Sequence, residues 1–529
     1  LGEGGVCGLS LLGWAPASRM EVRDGATGVD GRAVGDPLEI LRRLETGLGE
    51  GLFPAWIGFF TYEFARHLGL PAREPLAGIP EAVFHLYPQG IATRGGVVLA
   101  GSSRPDFAPT PLPPGALPPV EPTDELGAEG HHLRVREIQG RIRAGQVYQV
   151  NLSQRFRFPA AGVDPARLYE RLRALNPSPY MGLLEGEGWA LVSGSPERLF
   201  SLSAPEGDGA RIVRARPIAG TRPRGRTDLA DEALERELLA SSKERAEHAM
   251  IVDLLRNDLA RCCEPGTVEL PEIFTVERYS HVMHLVSEVL GRTRASFADV
   301  FSASFPGGSI TGAPKGSVMG ALAELEPVAR GPYTGSLGYV SGAGADLNIV
   351  IRSFAFAGGA SRRDGEPDAH ARSIAVAEEA PRQTRAQPGA HGFASATGAS
   401  RREQAEAGVG DRFAFTSGDV FFSAGGGVVI DSEPGAERSE ALAKAQALVQ
   451  ALRGGAAGAS PEPPRKTGSW RPPVLARRPE GARVLFVENH DSFSYNVIDY
   501  LRSLGAQVEV MEGEAAPTLA GATHLVVGP

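Results

Sequence analysis

The chain has 529 residues, of which 42% are hydrophobic and 22% are charged, and its formal net charge is -9 at pH 7. This length allows a large buried core in about two to four domains, or in one large domain with an appendage. The negative charge argues against general nucleic-acid binding, and no run of about 18 uninterrupted apolar residues predicts a membrane span. Three cysteines without a CxxC pair predict a reduced, cytoplasmic protein with no disulfide framework and no structural zinc.

The first part of the chain predicts strands followed by an extended connector. Residues 1–101 alternate short apolar runs, such as WIGFFTYEFA, with Gly and Pro turns, which is typical of strands. Residues 102–126 are rich in proline and predict an extended connector. We interpret residues 1–101 as the N-terminal part of the domain that continues after this connector.

Residues 127–453 predict an α+β body in which helices and strands alternate. HHLRVREIQGRIRAG has a helical pattern, whereas GWALVSGS and SLGYVSG have strand patterns. Residues 358–411 are rich in Arg, Ala, Gly and Glu without an apolar period, and they predict a disordered insertion. Strand and helix patterns return in FAFTSGDVFFSAGGGVVI and GAERSEALAKAQALVQALR.

A linker at residues 454–480 precedes a second kind of fold. RVLFVENHDSFSYNVIDYLRSLGAQVEV combines an apolar strand, a polar turn, an amphipathic helix and a second strand, the order of a parallel βαβ unit. We therefore predict a separate α/β domain over residues 483–529. Because the chain starts at Leu1 without a signal-peptide pattern and stops at Pro529 after a strand-like sequence, we expect further residues on both sides.

Several polar clusters lie in or beside apolar strands, where polarity costs free energy unless it serves a purpose. Glu244 and Glu247 are three residues apart and share one face of a predicted helix. Together with Asp253 and Asp258 they suit a hard cation such as Mg²⁺, although a solvated acidic helix face is the alternative.

Three further patterns leave alternatives open. FPGGSITGAPK can bind an anion through backbone N–H groups, but it does not meet the Walker pattern. The glycines at 425–427 permit close approach of a ligand, or they mark a bulge or tight bend. His281 and His284 are spaced for one helix face, but zinc is disfavoured because no third ligand is near in sequence.

Eight polar segments follow one another along the chain: YQVNLSQRF, GSPERLF, RPIAGTRPRG, ERAEHAMIVDLLRNDLAR, ERYSHVMHLVSE, FPGGSITGAPKGS, TGSLGYVSGAGADLNIVIRSF and SAGGGVVIDSEPGAE. Their joint order resembles the chorismate-utilising enzyme family. The resemblance covers residues 1–453 apart from the insertion, and it implies a sandwich of two large sheets flanked by helices, the fold of anthranilate synthase component I.

ENHDSFSYNVIDYL resembles the start of a triad glutamine amidotransferase, a flavodoxin-like α/β domain that supplies ammonia to this family. Asp491, Ser492 and Tyr495 match its first turn. The nucleophilic Cys of that domain, with its His and Glu partners, is expected beyond Pro529, so the chain should use free ammonia but not glutamine.

The family resemblance implies roles for individual residues. In the family a Mg²⁺ ion joins chorismate to two glutamates, and these glutamates match Glu247 and Glu437 here. Glu197 matches the acid that assists loss of the 4-hydroxyl group of chorismate. His284 resembles the family histidine that lies near the chorismate ring. Alternatively, His284 only orients its neighbours. The remaining implied residues are Tyr333 and Arg352 for the enolpyruvyl carboxylate, Gly425, Gly426 and Gly427 as backbone donors, Lys444 and Thr311 as substrate contacts, and Thr221, with the arginines after it, as a pocket wall beside Ala219.

Two positions bear on the nucleophile. Gln149 stands where family members that add water carry a Lys base, and a neutral amide cannot deprotonate water, so isochorismate and salicylate synthases are disfavoured. Ala219 stands where aminodeoxychorismate synthases often carry a nucleophilic Lys, whereas anthranilate synthases carry Ala. FPGGSITGAPK, YQVNLSQRF and MIVDLLRNDL nevertheless resemble the aminodeoxychorismate synthases more closely.

We therefore expect Mg²⁺-dependent amination of chorismate to 4-amino-4-deoxychorismate. Anthranilate synthesis is the alternative, and a non-catalytic chorismate-binding paralogue is the third reading. The expected partner is an amidotransferase that supplies ammonia, either fused or as a subunit, with no nucleic acid and no membrane.

Overall fold

The computed structural model describes residues 9–13, 16–94, 97–101, 117–279, 282–362, 373–376, 413–453, 466–467, 483–488, 494–503, 506–512 and 524–527. The predictions made for His281, Asp491, Ser492, most of the 102–126 connector, and most of the 358–411 and 454–480 segments lie outside these residues. Among the helices within these ranges, none has the length and apolar character needed to cross a membrane.

The helices of the described residues follow in chain order. They are α1 (Glu39–Arg43), α2 (Gly127–Arg143), α3 (Pro165–Leu175), α4 (Asp228–Ala240), α5 (Ser242–Ala260), α6 (Phe297–Ser304), α7 (Lys315–Leu325), α8 (Pro434–Arg453) and α9 (Ser494–Ser503), with 3₁₀ turns at Tyr62–Leu68 and Gly308–Ile310. The helices predicted from HHLRVREIQGRIRAG, KERAEHAM and GAERSEALAKAQALVQALR are confirmed as α2, α5 and α8.

The strands of the described residues also follow in chain order. They are β1 (Leu9–Gly13), β2 (Ser18–Arg23), β3 (Ala26–Val29), β4 (Arg32–Gly35), β5 (Ala55–Phe60), β6 (Ala82–Tyr87), β7 (Gly90–Arg94), β8 (Val97–Gly101), β9 (Thr123–Asp124), β10 (Gln149–Pro159), β11 (Tyr180–Gly186), β12 (Trp189–Ser195), β13 (Arg198–Ser203), β14 (Arg211–Arg216), β15 (Ile218–Pro223), β16 (Glu269–Arg278), β17 (Val282–Thr293), β18 (Gly312–Ala313), β19 (Ser336–Ser341), β20 (Gly344–Asn348), β21 (Ser353–Ala357), β22 (Ala360–Arg362), β23 (Ser373–Val376), β24 (Phe413–Phe415), β25 (Asp419–Val428), β26 (Lys466–Thr467), β27 (Arg483–Glu488), β28 (Gln507–Glu512) and β29 (His524–Val527).

Two large sheets, whose described strand pairs are antiparallel, form the main body. The first runs β18-β10-β25-β21-β12-β11-β23-β1-β7-β8, with β9 beside β10. The second runs β26-β16-β17-β14-β13-β20-β19-β5-β6-β2-β3-β4, with β15 beside β17. Strands from residues 1–101 join both sheets, so this region completes the body formed by residues 127–453.

Apolar side chains fill the space between the two sheets. Phe59 of β5 and Trp189 of β12 meet edge to face across this space, with ring centroids 5.2 Å apart. The outer side of the first sheet packs against α3 and α8, and the outer side of the second packs against α1, α5 and α6. This arrangement confirms the predicted mixed fold with more than one sheet, and it places α5 and α8 where their N-terminal turns can form a site.

The prediction of disorder for residues 358–411 is wrong for the parts that the structure describes. β23 lies inside the first sheet, where it pairs with both β1 and β11, and β22 pairs with β24. A four-residue strand is too short to show an apolar period, and its hydrogen-bond partners are distant in sequence. Similarly, β26 lies within the predicted 454–480 linker and pairs with β16.

The predicted parallel βαβ unit near the C-terminus is confirmed. β27 pairs in parallel with β28 and with β29, and α9 follows β27 in the chain. This unit contacts α5 through polar groups: Arg256 donates from Nη1 to the Tyr500 hydroxyl at 2.6 Å, and the Tyr495 N–H donates to Asn257 Oδ1 at 2.9 Å. The contacts attach the second unit to the main body.

Candidate active site

The first turns of α5 carry the carboxylates predicted from ERAEH. Ser241 caps α5 by accepting a hydrogen bond from the Glu244 N–H at 3.3 Å, which fixes where the helix begins. Arg222 of β15 donates from Nη1 to Glu244 Oε1 at 3.0 Å and balances that charge. Burial raises the pKa of Glu247, and the nearby Glu440 carboxylate raises it further.

A second carboxylate group lies at the start of α8, beside the glycines of β25. Ser432 donates from its hydroxyl to Glu437 Oε1 at 2.7 Å, and burial raises the pKa of Glu437. Lys444 donates to Glu440 at 2.8 Å and to the Gly425 carbonyl at 3.2 Å. A Cβ on Gly426 would lie 3.5 Å from Glu437 Oε2 and 3.8 Å from Lys444 Nζ, so this glycine lines the same space as the α8 side chains.

These carboxylates fit the chemistry of a magnesium ion. Within the described residues, no group of three or more His, Cys, Asp or Glu side chains is arranged to hold a metal. Mg²⁺ commonly takes only one or two protein carboxylates and keeps water or substrate oxygens as its other ligands. Glu247 and Glu437 are two partly buried carboxylates, each facing the added charge of Glu440, so a divalent cation would relieve their repulsion.

Glu197 is a buried acid between β12 and β13. Burial raises its pKa to about 7, against the smaller opposing effects of Ser309, Arg352 and Lys444. Ser309 donates from its hydroxyl to Glu197 Oε1 at 2.7 Å. The arrangement leaves Oε2 as the oxygen that can carry a proton near neutral pH.

Arg352 lies near Glu197, in the short segment between β20 and β21. Its φ of 51° is in the left-handed region, and its carbonyl accepts a hydrogen bond from the Gly194 N–H at 3.1 Å. Burial lowers the pKa of the Arg352 guanidinium, and the nearby Glu197 partly opposes this effect. A non-glycine residue in this conformation is held there by its surroundings, which is common at functional sites.

Thr221 and His284 meet because β15 pairs with β17 in that register. The Thr221 hydroxyl and His284 Nδ1 are 2.8 Å apart. Burial and then the charge of Arg352 lower the pKa of His284 to about 3, so the ring is neutral near pH 7. The helix-face interpretation of the two histidines is wrong for His284, which lies in a strand.

The arginines of RPIAGTRPRG have protein partners. Arg216 donates to Glu277 at 2.5 Å, and Arg222 donates from Nε to Glu237 at 2.9 Å. Arg224 donates from Nε to Asp231 at 2.9 Å. Protein carboxylates therefore already balance these three arginines, so no substrate charge is needed to explain them. Ala219, the second residue of β15, is buried and precedes Gly220, which has a φ of 83°.

The other predicted residues, Gln149, Thr311 and Tyr333, lie in a strand, after a 3₁₀ turn and in a loop, respectively. Gln149 begins β10, and its amide lies where a Cβ on Gly427 would stand. Thr311 is buried, and its carbonyl accepts a hydrogen bond from the Asn151 N–H at 2.8 Å. Burial raises the pKa of Tyr333 to about 12. Tyr333 lies in the loop between α7 and β19. Arg330 of the same loop donates hydrogen bonds to the carbonyls of Ile310 and Asn151.

Three residues of this region were missed in the sequence. Ser309 is in FPGGSITGAPK and touches Glu197, and Lys243 adds positive charge beside Glu247 and Glu437. Glu440 follows Glu437 by three residues, the same helical spacing that singled out Glu244 and Glu247. The spacing rule would have found Glu440, whereas the contact of Ser309 with Glu197 could not be read from the chain.

Comparison with known proteins gives the family. The chorismate binding enzyme family matches residues 3–363, more than half of the chain. The chain belongs to this family. A solved structure, anthranilate synthase component I from Streptococcus pneumoniae, superposes with a TM-score of 0.63 at 25% identity, over 85% of this chain and 93% of that one. The menaquinone-specific isochorismate synthase from Escherichia coli shares the fold, with a TM-score of 0.52 at 17% identity, over 83% of this chain and 89% of that one.

Similar curated proteins carry two different names. An anthranilate synthase component 1 from Haloarcula marismortui is 51% identical over 245 residues, which cover 45% of this chain and 48% of that protein. An aminodeoxychorismate synthase component 1 from Bacillus subtilis is 47% identical over 235 residues, covering 44% and 48%. The chain spans about half the length of these two relatives.

Proposed function

We propose that this protein aminates chorismate with ammonia to give 4-amino-4-deoxychorismate and water. The observation that carries the proposal is Glu197, a buried carboxyl with a pKa raised to about 7, beside the Arg352 guanidinium. A carboxylic acid that remains about half protonated at neutral pH can donate its proton to a departing hydroxyl group. The guanidinium can bind a substrate carboxylate at the same time.

Each side chain has a distinct task in this proposal. The Ser309 hydroxyl holds Glu197 Oε1, so the proton on Oε2 is the one given to the 4-hydroxyl group as it leaves as water. Arg352 and Tyr333 hold the enolpyruvyl carboxylate, and the neutral His284, fixed by Thr221, lies against the ring. Gln149 cannot act as a base, which favours ammonia over water as the nucleophile.

Glu247 and Glu437 are the residues that would hold a magnesium ion. Such an ion would neutralise the ring carboxylate of chorismate and polarise the ring for loss of the hydroxyl group. Lys444, Thr311 and the glycines at 425–427 would complete the substrate contacts, because Gly426 allows a ligand to approach its backbone amide.

Anthranilate synthesis, with release of pyruvate, is the second candidate. It is favoured by Ala219, because the chain has no lysine there to attack the ring, and by the anthranilate synthase names among the relatives. The 4-amino product is favoured by YQVNLSQRF, MIVDLLRNDL and FPGGSITGAPK. We further propose that the βαβ unit of β27, α9 and β28 is the start of an amidotransferase domain that supplies ammonia.

Incubating the chain with chorismate, Mg²⁺ and ammonium separates these products. We expect chorismate to be consumed and p-aminobenzoate to form only after an aminodeoxychorismate lyase is added. Anthranilate fluorescence with stoichiometric pyruvate would replace the first candidate by the second. Chorismate binding without turnover would instead support the non-catalytic paralogue, and Glu197→Gln serves as the control for background reaction.

A further inference from the structure

Arg330 is a buried cation in the segment between α7 and β19. Arg330 is only 5% exposed. It forms an ion pair with Glu326, in which Nε and Nη2 of the guanidinium donate to the two carboxylate oxygens at 2.8 and 2.7 Å. A buried ion pair costs desolvation free energy unless its remaining donors are also satisfied. The position of those remaining donors is therefore informative.

The other guanidinium hydrogen bonds join three segments of the chain. Nη1 donates to the Ile310 carbonyl at 2.9 Å and to Thr334 Oγ1 at 3.2 Å, and Nη2 donates to the Asn151 carbonyl at 2.7 Å. These acceptors belong to the FPGGSIT loop, to the loop that carries Tyr333, and to β10. Only a planar group with several fixed donors can reach these acceptors and Glu326 together, and a lysine ammonium cannot.

The backbone at Arg330 is fixed as well. The N–H groups of Arg330 and Gly331 donate to the buried Glu63 carboxylate, at 2.8 Å and 3.0 Å. The guanidinium also lies over the Tyr62 ring, 4.7 Å from its centroid. Both ends of the Arg330 residue are thus held, so the position of the guanidinium is well determined.

Each joined segment leads directly to the proposed site. Asn151 donates from its N–H to the Thr311 carbonyl at 2.8 Å and from Nδ2 to the Ser309 carbonyl at 3.1 Å. Ser309 in turn donates to Glu197. On the other side, the Thr334 hydroxyl that accepts from Arg330 donates to the Tyr333 carbonyl at 2.6 Å.

We propose that Arg330 is a positioning residue, which holds Ser309 against Glu197 and holds the Tyr333 loop in place for the substrate. The proposal rests on the function proposed above for this site. Arg330 acts through Ser309 and Thr334 and does not itself contact the reacting atoms. Misplacing catalytic groups by about 1 Å can cost about 100-fold in rate, so the loss of this one side chain should be visible in turnover.

The test compares Arg330→Lys with Arg211→Lys. Arg211 also bridges a carboxylate, Glu45, and a backbone carbonyl, that of Ser203 at 2.8 Å, and these partners lie outside the three segments. At saturating chorismate and ammonium we expect kcat of Arg330→Lys to fall about 10- to 100-fold, and Arg211→Lys to stay within about twofold of the wild type. Equal kcat values for the two variants would overturn the proposal.

A double-mutant cycle distinguishes positioning from a general loss of stability. If Arg330 acts partly through Ser309, the loss of kcat caused by Arg330→Lys should be smaller in a Ser309→Ala background than in the wild type. Fully additive losses would contradict this path. If Arg330→Lys fails to fold, Glu326→Gln, which keeps the shape of the pair, takes its place in the same cycle.

Amide hydrogen exchange separates this inference from the proposed function. We expect faster exchange in residues 307–313 and 330–335 of Arg330→Lys, with α5 unchanged, and no such change in Arg211→Lys. Wild-type protein that does not convert chorismate would remove the proposed function but would leave this measurement valid. Unchanged protection in both segments would overturn the role of Arg330 whatever the substrate is.

Discussion

Adjacent glycines of β25 give a sharp test of where the site lies. The changes are Gly426→Ala and, as a matched control, Gly425→Ala. A Cβ on Gly426 would lie 3.5 Å from Glu437 Oε2, an ordinary van der Waals contact, and it would project into the space shared with Glu440 and Lys444. A Cβ on Gly425 would instead overlap the Leu152 carbonyl oxygen of β10 and lie 3.0 Å from Ser153 Cα.

The two variants should therefore differ in what they lose: Gly426→Ala should lose affinity for chorismate, and Gly425→Ala should lose stability. Gly426→Ala removes conformational freedom from the unfolded chain without a clash, so its free energy of unfolding should be unchanged or rise by about 0.5 kcal/mol. Gly425→Ala forces one backbone away from another, and overpacking of this kind costs about 1 to 3 kcal/mol. If the Gly426 backbone approaches the substrate, the new methyl group should raise the KM for chorismate about tenfold or more, which corresponds to about 1.4 kcal/mol of binding free energy.

The assay combines thermal unfolding with chorismate consumption at several chorismate concentrations. Gly426→Ala should unfold at the wild-type temperature or above and show the raised KM, whereas Gly425→Ala should unfold several degrees lower. The reasoning would be refuted by a Gly426→Ala protein with wild-type KM, since substrate would then not approach this face of β25. It would also be refuted by a Gly425→Ala protein as stable as the wild type.

Three further predictions follow from the charges and pKa values of the site. Glu247→Gln should reduce turnover at least 100-fold, and unchanged turnover would exclude the magnesium assignment. Because the pKa of Glu247 is raised in the fold, its ionisation at alkaline pH costs stability, so the variant should unfold at a higher temperature than the wild type at pH 8. If Glu197 acts as an acid with a pKa raised to about 7, kcat should fall about tenfold per pH unit at alkaline pH, and a flat kcat from pH 6 to 9 would contradict this role. Burial lowers the pKa of His248 to about 4, so the unfolded chain binds a proton there below about pH 6.5 that the fold excludes; His248→Asn should remove about 1 kcal/mol of the stability lost between pH 6.5 and 5.5, as measured by urea unfolding at both pH values, and an identical pH dependence in the variant would show that another group controls it.

The sequence predicted elements well where the signal was local. α2, α5 and α8 and the strands β12 and β19 lie where the apolar patterns indicated, since the period of a helix or strand is contained in a few consecutive residues. β23 was missed because four residues carry too little pattern, and its stability comes from pairing with β1 and β11.

For the site, the sequence identified residue types better than contacts. Helical spacing singled out Glu247, and the family resemblance implied Glu197, Glu437 and Arg352. The structure adds burial and neighbouring charges that shift their pKa values. The arginines of RPIAGTRPRG show the limit: Arg216 pairs with Glu277, a residue far along the chain, and no local pattern indicates that its charge is already balanced.

The sequence by itself thus determined the family, the main helices and strands, and the chemical groups available for the proposed reaction, because each depends on short motifs or on their order. Only the tertiary structure decided that the arginines after Ala219 serve the protein's own carboxylates, and that Arg330 ties Asn151, Ile310 and Thr334 together. Hydrogen bonds and ion pairs form between atoms a few ångströms apart in space, and the distance between their residues along the chain carries no information about them.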